Sequence, residues 1–107
     1  MFARVLEFVP KLEKKEEFIK VVENKILPIL KKQNGFLDVL PLFPEISTEK
    51  TLFISLWTEK RYAEAYQREW FPKVQEMVEP YLTTPIAFRY YAIETKLCEH
   101  FEKTFAA

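Results

Sequence analysis

The segments TLFISLW (residues 51–57) and IAFRYYAI (residues 86–93) read as β-strands, and both carry apolar side chains on their two faces. In the first, Leu52, Ile54 and Leu56 share one side while Phe53 and Trp57 share the other; in the second, Phe88 and Tyr90 oppose Ala87, Tyr91 and Ile93. An antiparallel sheet with one wet face alternates apolar with polar residues, so neither face of this sheet is written for water. Helices are expected to cover one face. A second copy of the chain is expected to cover the other, as an isologous homodimer.

The remaining segments fall into a consistent order. Phe2 to Val9, ended by Pro10, reads as a first strand. Lys11 to Lys32 changes to helical spacing, with Phe18, Val22, Ile26, Ile29 and Leu30 on one side and Pro28 expected to kink the helix. Gly35, the only glycine, is placed to close that helix in a left-handed conformation. Phe36 to Leu42 forms a second strand, in a hairpin with the third across a loop containing Pro44. Thr58 is positioned to cap a second helix that aligns Tyr62, Tyr66 and Trp70, breaks, and restarts at FPKVQEMV with Pro72 in its first turn. The order βαββαβ is α+β and ferredoxin-like: an antiparallel four-stranded sheet with two helices on one face, spanning residues 1–93. Residues 94–107 form a tail in which Leu97, Phe101 and Phe105 recur at helical spacing, and it is expected to pack on its own domain or the partner's.

Composition narrows the function classes. The chain of 107 residues suits one domain, and 49% hydrophobic against 30% charged residues is the balance of a folded protein. Sixteen basic residues are interleaved with sixteen acidic ones, which removes the basic footprint of a nucleic-acid binder. The apolar start is broken by Arg4 and Glu7, and no later run spans a bilayer, so a soluble cytoplasmic protein without a membrane partner is expected. Cys98 has no second cysteine to pair with.

The element order, the NGF at residues 34–36 and the stretch LFISLWTEKRYAEAYQ together resemble the antibiotic biosynthesis monooxygenase-like family of dimeric α/β barrels, over about residues 2–93. The resemblance implies two protomers packed sheet to sheet, with a small pocket between sheet and helices in each. The family includes cofactor-independent oxygenases of phenols, quinol oxygenases and haem-degrading enzymes. Trp57 falls on the tryptophan that commonly ends the third strand in that family. The haem-degrading members also use a histidine on the second helix and an asparagine on the first strand; this sequence has neither, so no haem and no other cofactor is expected.

Among the residues themselves, Trp57, Tyr62 and Tyr66 either line a pocket for a planar aromatic substrate or pack as core. Arg89, inside an apolar strand, either stabilises a developing enolate or phenolate in a catalytic role beside Trp57 or pairs with Glu7, and Arg4 poses the same alternatives. Cys98 and His100 are too few for a metal site, one glycine excludes a glycine-rich phosphate loop, and Asp38 as the only aspartate argues against a Ser-His-Asp triad. Two functions remain open: a cofactor-independent monooxygenase of a small phenol or quinol, or a non-catalytic small-ligand or interaction module of the same fold.

Overall fold

The first strand, β1 (Phe2–Phe8), sits inside the sheet because both of its edges find antiparallel partners. On one side it pairs with β3 (Thr51–Trp57), in a register that sets Arg4 opposite Ser55 and Leu6 opposite Phe53. On the other it pairs with β4 (Ala87–Ala92), with Arg4 opposite Tyr90 and Leu6 opposite Phe88. Strand β2 (Phe36–Leu42) closes the order β2-β3-β1-β4, with a bulge between Phe36 and Asp38. This computed structural model describes residues 1–98.

Between β1 and β2 the chain runs through helix α1 (Lys15–Val21), a widened π turn (Val22–Ile26) and helix α2 (Leu27–Lys31). The widening has a local cause. Pro28 lacks the amide hydrogen that would bond to the Asn24 carbonyl, and its ring crowds that carbonyl. The amide of Leu27 donates to the Val22 carbonyl, five residues back, so the expected kink is absorbed as one wide turn within a continuous helical run. Phe18, Ile26 and Leu30 point into the core at the spacing expected of one helical face. Gly35 ends the run at φ 78°, and a Cβ there would collide with the ring of Tyr62.

Helix α3 (Lys60–Glu69) follows β3, and α4 (Phe71–Val78) follows α3 after Trp70. The residue at the start of α3 is Glu59, not Thr58, and no side chain caps it. Thr58 is engaged elsewhere: its amide donates to the Gly35 carbonyl at 2.8 Å, tying the end of β3 to the turn before β2.

Both helical runs lie on the sheet face that carries Leu6, Phe8, Phe53 and Trp57. Phe8, Phe18 and Phe53 meet there at centroid separations of 5.1–5.9 Å. The buried rings of Phe8 and Phe18 each contribute about 1.5–3 kcal/mol of transfer free energy, and the half-buried Phe53 less. On the opposite face Leu40, Leu42 and Tyr91 remain 41%, 46% and 49% exposed, so the apolar pattern that asked for a second cover meets no layer there among the described residues. In the tail, Leu97 is exposed; His100, Phe101 and Phe105 lie outside the described residues. No described helix is long and apolar enough to cross a membrane.

Candidate functional site

The alternation of β1 sends Arg4 to the helix-covered face with Leu6 and Phe8, where it is only 2% exposed. Its guanidinium carbon stands 4.3 Å from the centroid of Phe71, 5.3 Å from that of Tyr66 and 5.4 Å from that of Phe88. Its Nε donates to the side-chain oxygen of Gln67 at 3.0 Å, and Nη2 donates to the same atom. Among the described residues no carboxylate forms an ion pair with it. Burial pulls the Arg4 pKa down, against the favourable fields of Tyr66 and Tyr90. Desolvation pushes the Tyr66 phenol the other way, up to about 12, with Arg4 opposing. At neutral pH this end of the core therefore holds a charged guanidinium beside a neutral phenol.

Arg4, Ser55 and Tyr66 are the polar lining of a cavity of about 40 Å³ whose other walls are apolar, among them Phe18, Val22, Ile26, Phe53 and Phe71. Val22 and Ile26 are the two ends of the π turn, so the widened helix forms one wall. A groove of about 280 Å³ lies outside it, between α2 and β2, and shares Val22, Val39 and Phe53 with the cavity. Those three side chains stand between the interior and the open groove. No group of three or more metal-ligating side chains gathers among the described residues.

The candidate residues named from sequence divide by position. Tyr66 lines the cavity. Trp57 is fully buried behind it: its Nε1 donates to Ser55 Oγ at 2.9 Å, and its ring packs 5.6 Å from Tyr66 and 5.5 Å from Phe36. Tyr62 covers Gly35, and its hydroxyl accepts from Arg61 Nη2 at 3.0 Å, away from the cavity. Arg89 is exposed on the opposite face of the sheet, because its neighbours Phe88 and Tyr90 face the helices. Tyr91 and Glu7 nearby raise its pKa, while the ion pair of Glu7 is made with Lys50 at 3.4 Å. The basic side chain that reaches the cavity is Arg4. Its signal was the parity of FARVLEF, where Phe2, Leu6 and Phe8 set the buried face and Arg4 shares it.

No family model matches the sequence, and no curated protein does. Solved structures do match. A Streptomyces coelicolor monooxygenase in complex with the ligand nanaomycin D superposes with a TM-score of 0.71 at 11% identity, over 87% of this chain and 87% of that one. An antibiotic biosynthesis monooxygenase gives 0.69 at 10% identity, over 87% and 98% of the two chains. The chain has the antibiotic biosynthesis monooxygenase fold. A third structure with this monooxygenase fold, an MhuD variant with two manganese protoporphyrin IX molecules bound per active site, gives 0.70 at 13% identity over 88% and 95%. The cavity here does not fit a porphyrin: about 40 Å³ is far too small, and the described residues contain no histidine to supply an axial nitrogen.

Proposed function

We propose that this chain is a cytoplasmic, homodimeric, cofactor-independent monooxygenase of a small phenol or quinol, which it holds in the cavity between sheet and helices. The observation that carries the reading is the cavity itself. It is an apolar chamber with a guanidinium and a phenol at one end, in a fold shared with proteins named as monooxygenases. The exposed apolar face of Leu40, Leu42 and Tyr91 supports pairing of two sheets, with the Arg89 side chain at that seam.

In this reading an electron-rich phenolate passes one electron to dioxygen. The resulting substrate radical and superoxide join at a ring carbon, the peroxide anion takes back from solvent the proton the phenol lost on ionising, and the hydroperoxide then loses water to leave a quinone. One dioxygen is consumed, one of its atoms enters the product and the other leaves as water. The protein excludes solvent with its apolar walls, orients the ring against Tyr66, and keeps Tyr66 and Ser55 in place through Trp57. The 40 Å³ volume holds only about three or four waters, so the ring enters by displacing Val22, Val39 and Phe53 toward the groove.

Oxygen uptake with a panel of hydroxynaphthalenes and hydroquinones tests the function. The expected result is one dioxygen consumed per quinone formed, at a rate proportional to protein concentration and strongly reduced in Tyr66→Ala. The same small volume favours a second reading, a non-catalytic ligand or interaction module. That reading predicts ligand-induced stabilisation at most, with oxygen uptake no faster than in buffer.

A further inference from the structure

Among the described residues, the buried cation Arg4 meets only uncharged side-chain oxygens, the Gln67 amide that accepts from it and the Tyr90 hydroxyl beside it. The rings of Phe71, Tyr66 and Phe88 attract it through their faces but do not neutralise it. Tyr66 stays protonated well above neutral pH and supplies no counter-charge. A guanidinium also carries more donors than one amide oxygen absorbs. A buried charge without a partner is costly, and a ligand that brings the opposite charge recovers that cost on binding.

Among the described residues, those lining the cavity include no carboxylate and no imidazole, so none of them takes a proton from an incoming phenol. Its ligand has to arrive ionised. We infer that the cavity selects aromatic anions, a carboxylate or phenolate docking on the free edge of Arg4 while the ring occupies the space bounded by Val22, Val39 and Phe53. This rests on the cavity being the ligand site and adds the charge of the substrate class. It also assigns Gln67 a role: it positions the Arg4 side chain without cancelling its charge, which glutamate at the same place would do.

The test is calorimetric or thermal-shift titration of the whole protein at neutral pH with benzoate, its neutral isostere benzamide, and 4-nitrophenol followed through its own ionisation. Benzoate, or the phenolate form of nitrophenol, is expected to bind at least about tenfold more tightly than benzamide. The two anions separate carboxylate from phenolate as the preferred source of charge. In Gln67→Glu, which keeps the packing and gives Arg4 an internal partner, the preference should collapse while benzamide binding is unchanged. Arg4→Met should do the same if it folds, and Gln67→Glu keeps the test decisive if it does not. Equal affinity for benzoate and benzamide would overturn the anion selection and leave the cavity as a ligand site. Failure of every aromatic, charged or neutral, to bind at millimolar concentration would overturn both.

Discussion

Replacing Trp57 with Phe removes an indole that is entirely shielded from water and the hydrogen bond it donates to Ser55. The loss of buried surface and the void left behind should cost about 1 to a few kcal/mol, seen as a lower denaturation midpoint. A variant as stable as the wild type would contradict the packing described. Tyr66 makes a separate prediction with pH. Its folded pKa of about 12 lies above the value near 10 of an unfolded tyrosine. Below pH 10 both states keep the proton and this group costs nothing. As pH rises from about 10 to 12 the unfolded state releases it while the folded state holds it, so about 2–3 kcal/mol of stability is lost. Tyr66→Phe should flatten that alkaline decline, and identical alkaline unfolding curves would contradict the burial. At this scale the sequence was readable where strand parity decides. Phe88 and Tyr90 facing the helices fixes Arg89 on the other side, and Leu6 and Phe8 fix Arg4 inside. Parity does not say which buried aromatic borders empty space. Trp57 and Tyr66 touch each other, yet only Tyr66 reaches the cavity, because the unfilled volume depends on how separate elements meet.

The helical run before β2 joins sequence to site most directly. Pro28 was visible in the sequence as a disturbance, but its effect, a wide turn ending at Ile26 rather than a bend, depends on which carbonyl takes over the Leu27 amide, here that of Val22. Likewise the start of α3 falls at Glu59 because the Thr58 amide is drawn to Gly35, a contact between distant segments that local capping preference cannot foresee. The wide turn, β2 and β3 together hold the side chains that separate cavity from groove, Val22, Val39 and Phe53. Val39→Ala removes two methyl groups from that partition. It should lower stability by about 1 kcal/mol and speed the association of an aromatic ligand in stopped-flow fluorescence. Unchanged association together with the expected stability loss would place the entry elsewhere.

At the scale of the molecule, the ferredoxin-like arrangement was legible because the sequence of periodicities admits few others, whereas the face taken by the helices was not, since both faces of β3 and β4 carry apolar side chains. The apolar face left by Val5, Leu40, Ile54 and Tyr91 should be covered by a second copy. Light scattering behind size exclusion at micromolar concentration should therefore report twice the 12.9 kDa mass of one chain. Lys or Glu substituted at Leu40 should return it toward one, and a well-folded monomer of the unaltered chain would remove the basis for sheet pairing. The most direct measurement of the central claim, that the chamber beside Arg4 and Tyr66 is a ligand site, is methyl-resolved NMR during titration with an aromatic anion such as benzoate. The account predicts saturable shifts at Val22, Ile26, Val39, Val74 and Val78, which surround the chamber, accompanied by a shift of the Arg4 Nε–H resonance. Shifts confined to the exposed leucines of the outer face, or none at saturating ligand, would contradict it.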